Sequence, residues 1–255
     1  MTMFRLLVTQ CRQIPSFRLV MLAFGAAALH LASVAGLIED HASAWYLVYN
    51  STVTGISFFS LFFLPALAFS FSFANEYQHK ALPCWILRAG VVRYTTAKIL
   101  ISGLAGFLVV FLGMILLALV CLLIDPWYTF SVGSDLYDAW MNKGHVFAGA
   151  AMFMVDYGLS GAIYAAMGLF ASFWIPNPYV AVTTPIALYL TLSRIAAGSF
   201  LEVLFNPGML PYTLHAKPTA IEAIIDKIGL TALVLLILCI LGIQKMNRRV
   251  RHEGL

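Results

Sequence analysis

The run Ile99–Ile124 reads ILISGLAGFLVVFLGMILLALVCLLI, and no Asp, Glu, Lys or Arg interrupts it. About 20 apolar residues in a helix cross roughly 30 Å of hydrocarbon, so this segment is long enough to span a bilayer. Outward from it, five further runs read the same way: Leu19–Ile38, Thr52–Ala74, Val146–Phe173, Tyr179–Phe200 and Ile228–Ile243. The last is short, but Asp226-Lys227 before it and Lys245 after it can snorkel to the interfaces. These apolar residues are continuous, not alternating in the short segments of an outer-membrane barrel, so helices are expected. Composition agrees: 62% of the 255 residues are hydrophobic and 10% charged, with mean hydropathy +0.90, whereas a soluble domain carries about a quarter charged residues. The expectation is one all-α polytopic integral membrane domain, residues 1–255, with transmembrane helices at 19–38, 52–74, 99–124, 146–173, 179–200 and 228–243.

Charge sorts the loops. With both termini on one side, Arg5, Arg12, Arg18, Lys80, Arg88, Arg93, Lys98, Lys245, Arg248, Arg249 and Arg251 share that side. The positive-inside rule makes it cytoplasmic, in a multi-pass protein of the cell membrane. The opposite loops hold Glu39, Asp40, Asp125, Asp135, Asp138, Glu202, Glu222 and Asp226 against Lys143, Lys217 and Lys227. The net charge of +4 therefore reflects topology; nucleic-acid binding would need basic residues gathered on a soluble domain.

Arg5, Arg12 and Arg18 before an apolar run, with Ser33-Val34-Ala35-Gly36 after it, have the outline of a signal peptide. The run is longer than an h-region and more spans follow, which favours a retained first helix. Residues 1–15 mix Met3, Phe4, Leu6, Leu7 and Val8 with Arg5, Gln10, Arg12 and Gln13. This pattern predicts an amphipathic helix in the cytoplasmic interface, anchored by Arg5 and Arg12 and broken from the first span by Pro15.

Between the second and third runs lies the polar island 75–98. Leu82, Trp85, Ile86, Val91 and Val92 alternate there with Glu76, Lys80, Arg88, Arg93 and Lys98, and Ala89-Gly90 marks a turn. A loop both charged and apolar reads as a docking surface for a soluble partner. With Glu76 just after the second span, then Arg93, then Ala97-Lys98 opening the third, the island resembles that of ABC-2-type exporter permeases. This chain departs from the family at two places: where the family often has Gly-Thr and Pro, it has Lys80-Ala81 and Gly90. Layout matches over essentially the whole chain, residues only over about Phe73–Leu100.

The resemblance implies a permease without enzyme activity of its own, carrying a cytoplasmic coupling helix. It also implies two ABC ATPase subunits, a second permease copy, identical or homologous, and membrane lipid as surroundings. ATP and Mg would be bound by the ATPases, because this chain has no Gly-x-x-x-x-Gly-Lys-Ser/Thr loop. Leu82, Trp85 and Ile86 would form the docked apolar face, and Glu76, Lys80, Arg88 and Arg93 its polar rim, a helix-in-groove contact. Cargo would be an amphipathic peptide, lipid or drug moved by alternating access. The same residues could instead anchor an ordinary loop at the headgroups.

Asp156 and Arg194 stand inside apolar runs, where each costs about 2.5–3.5 kcal/mol. They are candidates for a translocation path, or for a structural tether if they pair. Residues 201–226, broken by Pro207, Gly208, Pro211 and Pro218, resemble the external loop before the last span of these permeases. Small residues such as Gly158, Gly161, Ala165 and Gly168 permit close helix approach, most simply within one subunit. Two other classes stand as alternatives. Gly158-Leu159-Ser160-Gly161 resembles the nucleophile motif of rhomboid intramembrane proteases, but the sixth run lacks the histidine base such a serine needs. A stand-alone secondary transporter or channel would show internal repeats or a polar ring, and neither is evident. The six His show no His-x-x-x-His pairing for a metal.

Overall fold

Pro15 gives the first structural break: it is the N-cap of α2, Ser16–Val34, which runs on as 3-10 turns over Ala35–Asp40, and separates it from a nine-residue helix α1, Met3–Cys11, that ends on Arg12. The computed structural model describes residues 2–40, 43–53, 55–127, 136–196 and 220–253. Side chains at 38–40, 53, 55–59, 136, 138–139, 192–196, 220 and 253 lie outside that description. All described regular elements are helical. After α2 come α3 (Ala44–Val53), α4 (Gly55–Phe69), α5 (Ser72–Gln78), α6 (Leu82–Ala89) and α7 (Val91–Ile124). Then follow α8 (Leu136–Met141), α9 (Val146–Trp174), α10 (Pro178–Ala196) and α11 (Ala220–Glu253).

Among the described residues, four segments are long and apolar enough to cross a membrane: Ser16–Leu37, Val91–Ile124, Val146–Trp174 and Ile221–His252. The chain is thus membrane-embedded by its own composition; the expected spans 99–124, 146–173 and 228–243 fall within these segments, and 19–38 overruns the first by one residue. Three expectations change. The third span does not begin at Ile99: α7 starts at Val91, so Arg93 and Lys98 belong to its first turns and not to a loop. The sixth is no short 228–243 segment but part of a helix of 34 residues, about 50 Å long at 1.5 Å per residue, which must project well past a 30 Å hydrocarbon layer. The second, 52–74, is not one straight helix. Pro65 lies inside α4 and Ser70-Phe71 form a turn before α5.

That turn has a polar cause. The Ser70 hydroxyl donates to the Ala165 carbonyl of α9 at 2.7 Å, the Ser102 hydroxyl of α7 donates to the same oxygen at 3.0 Å, and the two hydroxyls lie 3.2 Å apart. In hydrocarbon such groups need protein partners, and here three elements supply them to one another. Nearby, α7 and α9 approach backbone to backbone: a Cβ on Gly106 would lie 2.5 Å from the Gly161 carbonyl oxygen. The small residues of α9 therefore pack this chain's own helices, as their spacing suggests.

Of three apolar cores among the described residues, one joins α2, α4 and α7 through Ala26, Leu64, Phe69 and Ile101, and the other two matter here. One is aromatic, with Trp45, Phe153, Tyr137 and Tyr157 around Leu117 and Cys121. The other gathers Leu6, Phe73, Leu82, Ile86, Tyr94, Phe173 and Met246 at the end where α1, α6 and the last turns of α11 meet. This second core positions the candidate site.

Candidate functional site at the basic end

α6 owes its limits to its ends. Pro83 sits in its first turn, where a missing N–H is harmless. Gly90 closes it at φ 76° and ψ 152°, a conformation essentially confined to glycine. No atom lies within 4 Å of a Cβ built on Gly90, so Gly90→Ala tests backbone strain alone. The expected cost is about 1–3 kcal/mol, read as a lower midpoint in denaturant titration of the purified chain; an unchanged midpoint would mean that the Gly90 backbone angles carry no strain cost for other residues. The other turn uses Lys80 at φ 55°, the left-handed region that a Gly would enter more readily.

Glu76 and Lys98 meet behind this helix. Lys98 Nζ donates to Glu76 Oε1 at 2.8 Å, and the Tyr94 hydroxyl donates to Glu76 Oε2 at 2.5 Å. Lys98 also reaches Ser72 Oγ at 3.2 Å and Gln13 Oε1 at 3.4 Å, and its ammonium lies 4.7 Å from the Phe69 ring centroid. Its side chain is fully buried and that of Glu76 is 12% exposed. One ammonium thereby ties the α1–α2 link, α5 and α7 together. Arg249 of α11 closes the arrangement, its guanidinium 4.9 Å from the Tyr77 ring and its Nη2 donating to the Trp174 carbonyl at 3.3 Å.

The remaining candidates distribute differently from expectation. Leu82 and Ile86 are buried in the chain's own core with Leu6 and Met246, so in this conformation they cannot be the face that meets a partner. The physical reason is the eight-residue length of α6: its apolar stripe is already spent on α1, α7 and α11. Trp85 packs half-buried beside them. The outward face is Cys84, Leu87 and Arg88, with Leu87 83% exposed. Lys80 and Arg93 are also exposed. On α1, Leu6 and Gln10 point inward, while Phe4, Arg5 and Arg12 lie outside.

Asp156 pairs with Lys227, Oδ1 to Nζ at 3.4 Å, with side chains 1% and 0% exposed. Lys227 therefore does not snorkel from the end of the last span, as its position in sequence suggests; it turns inward to neutralise α9. The side chain of Arg194 and residues 201–219 of the external loop lie outside the described residues. Ser160 is buried and its hydroxyl goes to the Asp156 carbonyl of its own helix at 3.4 Å, the ordinary behaviour of a helical serine.

Reading the sequence missed Tyr94, Ser72 and Gln13 as partners of the Glu76–Lys98 pair, and it missed His30. The imidazole of His30 is buried, with Nε2 2.9 Å from Ser60 Oγ, Nδ1 3.2 Å from both the carbonyl and hydroxyl oxygens of Ser51, and the Tyr157 ring edge-on at 5.8 Å. Nothing local signals these contacts; a lone His in an apolar run was the one available hint. No family profile, no curated protein and no solved structure matches this chain.

Proposed function

We propose that this chain is the permease subunit of an ATP-driven exporter of the ABC-2 type, working as a pair of permeases with two separate ATPase subunits. The observation that carries the reading is the Glu76–Lys98–Tyr94 knot. It ties α5, which leads into the exposed short helix α6, to the apolar helix α7, which follows it, while Leu82 and Ile86 seat α6 on the core these helices share. A soluble motor that pushed on Leu87 and Arg88 would move α1, α5, α7 and α11 together, because all contribute to one core. The topology that accompanies this reading has six spans, with α4–α5 second and α10 fifth, and both termini cytoplasmic. The segregation of Lys and Arg supports it. The cargo is an amphipathic peptide, lipid or drug, carried outward by alternating access, and the chain itself is a transport subunit and not an enzyme.

The native thiol of Cys84, exposed on α6, permits a direct test. A membrane-impermeant maleimide is expected to label Cys84 in inverted vesicles and not in intact cells. A photo-crosslinker at Leu87 is expected to trap a nucleotide-hydrolysing polypeptide, and Leu87→Asp to lower its association about tenfold or more, since burying a Leu contributes about 1.5–3 kcal/mol. Labelling from outside, or cargo movement by the purified chain with no hydrolase present, would overturn the reading.

A further inference from the structure

Trp174 ends α9, and four residues before it Phe170 lies on the same face. Opposite, α11 presents Leu241, Gln244, Lys245 and Arg248 at the corresponding helical spacing. These six side chains line a crevice of about 230 Å³ between the two helices. The Lys245 ammonium rests 4.2 Å from the Trp174 ring centroid, and no carboxylate is among the lining residues.

The crevice is graded along the bundle axis. Phe170 and Leu241 sit about one helical turn, roughly 5.4 Å, inside the level of Trp174 and Lys245, and Arg248 lies almost a turn further out. The level is fixed because Arg249 Nη2 binds the Trp174 carbonyl at 3.3 Å, holding the end of α9 against α11. Apolar floor, interfacial Trp and then paired cations follow the order of acyl chain, glycerol and phosphate in a phospholipid. Leu241 of the floor is 44% exposed on a helix apolar enough to cross a membrane, a surface suited to an acyl chain and not to a soluble protein. We propose that the crevice between the ends of α9 and α11 binds the headgroup phosphate of an anionic phospholipid, with Lys245 and Arg248 as its ligands and Phe170 and Leu241 against the acyl chain. The site requires only that this end of the bundle meet a bilayer surface; it stands whether or not the transport reading holds.

The test uses the full chain in nanodiscs of phosphatidylcholine with a minority of phosphatidylglycerol, followed by mass spectrometry of the lipid retained after extraction. The wild-type chain is expected to retain phosphatidylglycerol in clear excess over its share of the bilayer. The double variant Lys245→Gln, Arg248→Gln should cut that enrichment about thirtyfold, from the loss of two cations at the surface. Arg251→Gln, three residues further along the same helix and outside the crevice, should leave it within about threefold. The charge-preserving pair Lys245→Arg, Arg248→Lys should keep it. Enrichment that survives the double Gln variant, or falls equally with Arg251→Gln, or is lost in the charge-preserving pair, overturns the site. Displacement of the lipid by inorganic phosphate at matched concentration would assign a free anion instead and overturn it as well.

Discussion

Glu76→Gln is expected to cost the folded chain about 3–5 kcal/mol, the range seen when one partner of a buried pair is removed. The variant leaves the Lys98 ammonium fully buried with only neutral acceptors in reach, the amide oxygen introduced at position 76, Ser72 Oγ and Gln13 Oε1. Lys98→Met should cost less, because Glu76 keeps the Tyr94 hydroxyl and some contact with solvent. The double variant Glu76→Gln, Lys98→Met should recover much of the loss, since it leaves no uncompensated charge buried. Detergent-denaturation midpoints of the four purified chains give the coupling directly. Strictly additive single effects would mean that the pair does not hold α5 to α7. The functional corollary is sharper: if α6 transmits force, the double variant should fold well yet respond poorly to the ATPase, because Gln and Met cannot anchor the α1–α2 link through Gln13.

Asp156→Leu and Lys227→Met should each weaken the fold by about 3–5 kcal/mol, and their combination by less than the sum. Either single change strands the other charge in a region where an unpaired ion costs several kcal/mol. The exchange Asp156→Lys, Lys227→Asp should restore part of the stability, since the 3.4 Å contact is Coulombic and indifferent to which helix carries which sign. Under the transport reading, a pair that serves as a tether between α9 and α11 predicts that export tracks stability across this series. A path-lining Asp156 predicts the opposite: the exchanged variant would be stable and inactive. Arg194→Leu supplies the comparison, because the sequence offers Arg194 as the rival partner; if that variant matched Asp156→Leu in cost and coupling, the assignment to Lys227 would fail.

The helical class and three of the spans were legible in the chain because each depends on a local property, a continuous apolar stretch longer than a bilayer is thick. The turn at Gly90 was legible for the same reason, glycine being the residue that tolerates its backbone angles. The start of α7 was not: Val91–Lys98 reads as loop by its charge, but burial of Tyr94 and Lys98 against Glu76 makes helix the better state. The break between α4 and α5 was hidden as well. Ser70 is one small hydroxyl in an apolar run, and its meaning depends on the Ala165 carbonyl ninety-five positions later.

What the sequence alone determined is therefore a membrane chain, helical, with its cations collected at one end and a short helix flanked by turns among them. Tertiary structure alone decided which face of that helix remains open, that Lys98 and not Lys80 or Arg93 answers Glu76, and that Lys227 reaches Asp156. The reason is physical. Hydropathy and backbone preference are summed along a few neighbouring residues, whereas a buried charge is satisfied by whichever opposite group packing brings within a few ångströms, and that group can lie anywhere in the chain.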